Sequence, residues 1–558
     1  MDQAAGAGEL ASLLTELKRR SGLSFQELAG RTFLSRTTVH RFCSGARVPN
    51  DYAVVVRLAR ECGAEPEDLN RLLAYWRAAT RTEEPDAGSP PCTAARSVHP
   101  PELPPRTPGR GGLDRASARW VLGLVLAVGL SLTAVASGQL DTSVDRSVTG
   151  GQVSRSIPAP SWEEVPFPVP RTMFGVTMNS SSGAMPTFQV GGVRLWDSET
   201  RWANLEPERG TYDWVTLDRL LAGAHRAGLP TLFVVGGTPS WAAPNGRKAA
   251  YPDGSRAAPP DDLDDGDRFV RALVQRSRGR IDAYELWVMA NDPHYYNGGV
   301  RTLVEMTRRA ARIIREHDEA AVVVCPSMGR LWEAEGRRIL REFARLGGYQ
   351  HCDVAGVKLH QRNAQDPPET MLQALELADQ AFHEAGVHPE LWNTGTTYSL
   401  LLLQKKPSRS QAADYAVRFY LTGLYARRYD VQRMYLYAWG NDRVPIVLQP
   451  QGGPPTRPAL NVERLQRWIG DARIRSCGRG DQIGMPDNVW QCEFLVADAG
   501  GERAARIRWT HTGRATTPVG PDAVAVERLD GTVSRYPAGG SLQVTESPVL
   551  ISGPGGPR

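Results

Sequence analysis

Residue types able to do chemistry gather in three places. The stretch YELWVMANDPHYYNG (284–298) carries two carboxylates, Glu285 and Asp292, on either side of an apolar step, Val288–Met289. Positioned carboxyls can donate or accept protons in catalysis. Glu285 precedes Met289 by an even offset, which in a strand keeps both on one side but sets them roughly 13 Å apart. Asp292 falls past the end of the same predicted strand, in a loop from which it could reach a cleft. From Lys18 to Arg47 seven basic residues stand against one acid, Glu27, a surplus suited to phosphate. Cys477 and Cys492 bracket 14 residues of a strand-rich region and are expected to form a disulfide. Cys325 and Cys352 each adjoin a predicted strand, and their pairing is left open. No Cys-x-x-Cys or His-x-x-x-His spacing occurs, so neither a metal nor a cofactor is expected.

The elements that must position these residues divide along the chain. At 558 residues the protein exceeds one compact core. The net charge of +5 is small for that length, so the local charge distribution carries more information than the total. Trp120–Ser137, WVLGLVLAVGLSLTAVAS, runs 18 residues without a charge, close to the ~20 needed to cross a bilayer. It starts too far from the N-terminus for a signal peptide. Arg106, Arg110, Arg115 and Arg119 lie before it, and Asp141 and Asp145 follow. The positive-inside rule then places the N-terminus in the cytoplasm and residues 138–558 outside the cell membrane.

Residues 9–80 have apolar positions at helical spacing throughout. Ser24 with Glu27 forms a capping-box pattern, and Ser35 can cap a second short helix, Arg36–Cys43. SFQELAGRTFLSRTTVHRFCSGARVPN resembles the Cro/C1-type helix-turn-helix over roughly 70 residues, through Ala29, the second cap and the exit at Gly45. The resemblance implies DNA as partner, with Ser35, Arg36, Thr37, Thr38, His40 and Arg41 at base edges. Arg19, Arg20 and Arg47 would meet phosphates. A single such module binds weakly, so DNA binding calls for a homodimer. The competing reading is a head that binds a protein.

From Met173 onward eight short apolar runs alternate with amphipathic stretches: MFGVTMN, GGVRLWD, LPTLFVVGG, DAYELWV, AAVVVCPS, DVAGVKLH, ELWNTG and RMYLYAW. Eight strand–helix repeats in about 300 residues predict a (β/α)8 barrel. The chain is therefore expected to be multidomain: an all-α helix-turn-helix head (1–80), a Pro-rich disordered linker (81–118), a single transmembrane helix (119–138), an extracytoplasmic linker (139–171), a (β/α)8 TIM barrel (172–468) and a small C-terminal β-sandwich-like domain (469–558).

The barrel segment is similar to clan A glycoside hydrolases, closest to the group of β-xylosidases and α-iduronidases. The similarity rests on Trp202, EPERGTYDW and TPSWA, supported by Arg194, His360 and Trp439 at strand positions. In that clan one Glu after strand four is the general acid/base and another after strand seven is the nucleophile; retaining enzymes hold such a pair ~5–5.5 Å apart. Aligned on YELWVMANDP and ELWNTG, those positions hold Met289 and Gly395. Neither side chain can donate a proton or form a glycosyl ester, so hydrolysis by the family mechanism is not expected.

The resemblance leaves a sugar cleft, with Arg194, Trp241, Asn291, His360, Tyr398 and Trp439 as candidate contacts for a carbohydrate or cell-wall glycan; each could equally be barrel-mouth packing. The expectation is a catalytically dead carbohydrate-binding sensor that regulates transcription. The alternatives are an anchored glycosidase using Asp292 or Glu285 as displaced carboxylates, and a scaffold.

Overall fold

The computed structural model describes residues 3–32, 36–46, 48–49, 52–80, 157, 159–395, 406–498, 501–522 and 524–553. They fall into two compact units, one within 1–142 and the other within 143–558. The expected membrane span and Pro-rich linker lie outside the described residues. No helix among the described residues is long and apolar enough to cross a membrane.

The head is five helices, α1 Gln3–Ser21, α2 Phe25–Thr32, α3 Arg36–Cys43, α4 Tyr52–Glu61 and α5 Pro66–Thr80. Ser24 opens α2 through the capping box read from the sequence. The Glu27 N–H donates to Ser24 Oγ at 3.2 Å, and the Ser24 N–H to Glu27 Oε2 at 2.8 Å. Leu10, Leu14, Leu17, Leu28, Val39, Val55, Leu58 and Leu72 form its core. Gly45, at φ +72°, ends the turn after α3, a left-handed conformation that glycine adopts without strain.

In the second unit eight parallel strands form the barrel: β1 Phe174–Met178, β2 Gly192–Leu195, β3 Thr231–Val235, β4 Ala283–Leu286, β5 Val322–Val324, β6 Ala355–Val357, β7 Leu391–Asn393 and β8 Val431–Trp439. Neighbours run β5-β4-β3-β2-β1-β8-β7-β6. Parallel bridges Val324–Val354 and Met328–Val357 join the two ends. This near-closure distinguishes the barrel from an open doubly wound sheet. The eight strands are largely buried on both faces, which explains their mostly apolar composition, broken by charged groups such as Arg194 and Glu285 that pair inside the barrel. Helix Val300–His317 shows the complementary pattern, with Leu303, Ala311, Ile313 and Ile314 inward. Cys325, just past β5, is bonded to Cys352, just before β6, so the pairing left open in the sequence does form.

The C-terminal region is an antiparallel seven-stranded sheet with a separate two-stranded ribbon, Arg514–Pro518 with Ser541–Thr545. Its edge strand comes from the segment read as a linker up to residue 171. Trp162–Pro168 pairs with Arg473–Arg479, placing Trp162 opposite Cys477. Cys477 in turn lies opposite Cys492, and the expected disulfide joins them. Glu163, Arg475, Glu493 and Arg506 alternate in sign across four neighbouring strands.

The barrel and sheet share one core. Arg418, on helix Arg409–Tyr425, is fully buried and clasps Glu369 at 2.8 and 2.6 Å. The sheet completes the cluster: the Trp509 indole donates to Glu369 Oε1 at 2.7 Å, and the His511 carbonyl accepts from Arg418 at 2.9 Å. Glu369→Ala leaves a buried guanidinium without its main counter-charge. It is expected to cost ~3–5 kcal/mol, read as a lower denaturant midpoint at unchanged slope.

Candidate functional site at the barrel mouth

The C-terminal ends of the strands form the mouth, and its floor is a charge cluster. Arg194 on β2 grips Glu285 on β4 through Nε–Oε2 at 2.7 Å and Nη2–Oε1 at 3.1 Å. Lys358, directly after β6, donates from Nζ to Glu285 Oε1 at 3.3 Å and to the Thr394 carbonyl and hydroxyl at 2.8 and 2.9 Å. The Glu285 side chain is fully buried, and those of Lys358 and Arg194 are 2% and 3% exposed. Burial acts to raise the Glu285 carboxyl, but Arg194 and Lys358 outweigh it and hold the group below its ordinary value. Burial, with Arg194 alongside, pushes the Lys358 ammonium down to about 7.

Beyond β4 the chain turns sharply. Trp287 and Met289 take φ +103° and +43°, conformations that are strained for residues with a Cβ. Ser327 stitches this turn to the β5 exit: its N–H donates to the Trp287 carbonyl at 2.9 Å, and its Oγ accepts from the Met289 N–H at 3.1 Å. Val288 lies in an apolar cluster with Trp196 and Val234, against which Tyr251, Met289 and Tyr295 pack. Trp196 donates to the Tyr251 hydroxyl at 2.5 Å, and Arg201 covers the Tyr251 ring at 4.0 Å. Arg201 also pairs with Asp253 at 2.5 Å and Asp197 at 3.5 Å. The surroundings of Met289 are thus a hydrophobic, aromatic cap.

Gly395 follows β7 at φ +100°. A Cβ there would stand 2.9 Å from Thr177 Oγ1 and 3.4 Å from the Tyr435 carbonyl oxygen. Any side chain at this position requires both backbone strain and a shift of its neighbours.

The candidate sugar contacts separate into buried and half-buried groups. Asn291 is 1% exposed, bonded to the Gly329 and Gly336 carbonyls at 2.5 and 3.0 Å and to the Gly329 N–H at 2.8 Å. Trp439 is equally buried and donates to Gln449 Oε1 at 2.9 Å. Like Arg194, these two are buried and spend their polar atoms on protein partners. Trp241 is half-buried; its N–H is held by the Glu206 carbonyl at 2.9 Å, and Arg209 lies 5.3 Å from its ring. His360 is half-buried, with Nδ1 2.9 Å from the Gln361 carbonyl, and burial lowers its pKa. Tyr398 lies outside the described residues.

Of the two fallback acids, Glu285 is sealed in the floor. Asp292 accepts from the His294 N–H at 2.9 Å and lies 2.8 Å from His294 Nδ1. Sequence reasoning missed Trp332, a half-buried ring whose N–H is fixed by the His360 carbonyl at 2.9 Å. It also missed the cap residues and Lys358. A lysine inside the apolar run DVAGVKLH was the available signal for the last.

In the head, Arg36, Thr37, Thr38, His40 and Arg41 all fall on α3, and His40 and Arg41 are exposed. The ring of His40 packs edge-on against Phe25 of α2 at 5.3 Å. Ser35 and Arg47 lie outside the described residues.

A helix-turn-helix domain family model matches residues 9–72, and a beta-galactosidase model, of glycoside hydrolase family 42, matches residues 178–266. The chain thus joins a helix-turn-helix domain to a glycosidase-like barrel. A comparison with curated proteins finds no match. Among solved structures, the chain is similar to a family 39 glycoside hydrolase from Bacteroides cellulosilyticus WH2, with 13% identity, 65% of this chain and 76% of that one covered, and TM-score 0.48. A monomeric beta-xylosidase from Caulobacter crescentus CB15 aligns at 12% identity, 70% and 97% coverage, and TM-score 0.49. Xylanase 10B from Thermotoga petrophila RKU-1 aligns at 12%, 55% and 98%, and TM-score 0.39.

The floor cluster makes stability depend on pH. Lys358 titrates lower in the folded state than its ordinary 10.5, so the unfolded chain binds more protons between those values. Stability is therefore gained as pH rises from about 7 toward 10. Relative to Lys358→Met, the parent chain is expected to gain stability across that window in denaturant titrations at stepped pH; parallel curves would refute the assignment.

Proposed function

We propose that this chain is a single-pass membrane sensor, in which a glycosidase-like barrel that has lost its chemistry binds a carbohydrate outside the cell and a helix-turn-helix head regulates transcription inside. One observation carries the loss of chemistry. The position aligned with the acid/base is Met289, packed beside Trp196, Tyr251 and Tyr295. That aligned with the nucleophile is Gly395, at φ +100°, where a Cβ would stand 2.9 Å from Thr177 Oγ1, so a side chain there is strained. Glycoside hydrolysis needs two carboxyls with distinct proton affinities facing the same bond. The nearest acid in the floor, Glu285, is consumed by two cations.

What remains supports binding. Trp241 and Trp332 are half-buried beside barrel loops, each with its indole N–H anchored on a carbonyl and a guanidinium over its ring, Arg209 at 5.3 Å and Arg362 at 4.4 Å. Fixed aromatic faces are the common way to stack a sugar ring at low entropic cost. The membrane span rests on the 18 uncharged residues from Trp120 to Ser137. Cysteine chemistry supports the orientation: two disulfides lie in the 143–558 unit, while Cys43 and Cys62 in the head are free and buried. Ligand-driven dimerisation would couple the two sides, because pairing two heads raises their effective concentration on a two-half-site operator.

The test is calorimetry of the full chain in detergent against xylo-, gluco- and cell-wall oligosaccharides. Heats that saturate and return to baseline are expected. Continuous power after injection would mean turnover and end the dead-enzyme reading, and silence across the panel would end the sensor reading. For the coupling, a fused, drug-induced dimerisation module should change output from a reporter operator. Unchanged output would remove dimerisation as the transmitting step.

A further inference from the structure

The connection from β3 to the helix Leu263–Ser277 carries no regular structure beyond isolated bridges. Stretches of that length are uncommon in compact domains and usually serve a function. Within it, residues 247–257 close on themselves. The Ala257 N–H donates to the Arg247 carbonyl at 2.8 Å, and the Ala249 N–H to the Ser255 carbonyl at 2.9 Å. Asp253 accepts from the Ser255 N–H and hydroxyl at 3.0 and 2.7 Å. The base is tied down, with the Arg256 N–H on the Thr238 carbonyl at 2.7 Å and the Asn297 N–H on the Ala257 carbonyl at 2.9 Å. A compact loop whose ends meet in this way can move as one piece.

The tip of this loop reaches the barrel through a few groups. Tyr251 accepts from the Trp196 indole at 2.5 Å, and its ring lies 4.0 Å from the Arg201 guanidinium and 5.7 Å from the ring of Tyr295. Asp253 pairs with Arg201 at 2.5 Å, and the Ala250 N–H donates to the His294 carbonyl at 3.1 Å. Arg247, Lys248, Ala250, Pro252 and Gly254 are exposed. Segments with so few buried contacts open at low cost in free energy. Trp196 and Val288, in the cluster that Tyr251 packs against, are 3% and 5% exposed.

We propose that residues 247–257 form a lid on the barrel mouth, hinged at its tied base and latched by Arg201. Opening lifts Tyr251 away and uncovers Trp196 and Val288 beside Met289. Any ligand that touches those two residues enters during the open interval. Arg201 keeps Asp197, at 3.5 Å, when Asp253 lets go, so the latch releases without stranding a buried charge. The lid goes beyond the carbohydrate reading of the mouth and stands or falls independently of it.

The experiment is residue-resolved hydrogen exchange by mass spectrometry on the full chain in detergent, parent and Asp253→Asn. A lid that swings as one piece breaks the Ala250 bond to His294 and keeps the Ala257 bond to Arg247. The Ala250 amide is therefore expected to exchange well before that of Ala257. Asp253→Asn removes the charge from the latch and should speed Ala250 exchange about tenfold or more, leaving β3 and β4 as slow as before. A second readout is alkylation of Val288→Cys by N-ethylmaleimide, which should quicken by the same factor when Asp253→Asn is added. The exchange measurement uses chains with native Val288, so the test survives if Val288→Cys does not fold. Ala250 and Ala257 exchanging together would mean local unravelling and overturn the lid. So would unchanged rates in Asp253→Asn, or an acceleration that spreads into β3 and β4.

Discussion

Four strands of the barrel are tied together by one charge cluster. Arg194 extends from β2, Glu285 from β4, Lys358 from the end of β6, and Thr394 follows β7. Charges buried this deeply lose their hydration, and the loss is offset only when every lone pair and proton finds a partner. Here the carboxylate takes three donors, and the ammonium finds one carboxylate and two threonine oxygens. The geometry has little slack, so it fixes the heights of β2, β4 and the paired strands β6 and β7 relative to one another, although β2, β4 and β6 share no direct hydrogen bonds. The mouth above inherits that register: the β4 exit with Met289, the β6 exit with His360 and the β7 exit with Gly395 all start from residues held in the cluster or next to it.

The contrast between floor and cap gives the mouth its character. Below, charged groups are satisfied by one another. Above, Val288 and Met289 join Trp196, Tyr251 and Tyr295 in an apolar layer. A carboxyl at residue 289 would be partly desolvated by these rings, and the Cβ of any side chain at residue 395 would press on Thr177 Oγ1. The two positions therefore constrain their side chains in different ways, one through its surroundings and the other through its backbone.

Much of this architecture was legible in the sequence. The eight strands could be read because parallel strands buried on both faces must be continuously apolar. The capping box at Ser24 and Glu27 could be read because it is local. The edge strand Trp162–Pro168 could not. WEEVPFP has two prolines and no clean alternation, and it becomes a strand only by pairing with Arg473–Arg479, some 300 residues later; proline is tolerated there because the strand lies at a sheet edge. The cap was also illegible, since Tyr251 and Asp253 come from an irregular loop whose position is set by Arg201 and Trp196 rather than by any periodicity. Arg194, Asn291 and Trp439, read as candidate sugar contacts, are buried and bonded within the protein; sequence alone could not distinguish a side chain that faces a ligand from one that braces the wall.

The edge strand has a mechanical consequence. The chain enters this unit not through the barrel but through the far sheet, with Trp162 laid against Cys477 and Cys477 cross-linked to Cys492 on the next strand. Force applied at Trp162 is met first by that antiparallel pairing, with a strand that the Cys477–Cys492 rung ties to its other neighbour, before it can reach β1. A pull at that end would have to peel the edge strand from the sheet before it loaded β1 and the mouth.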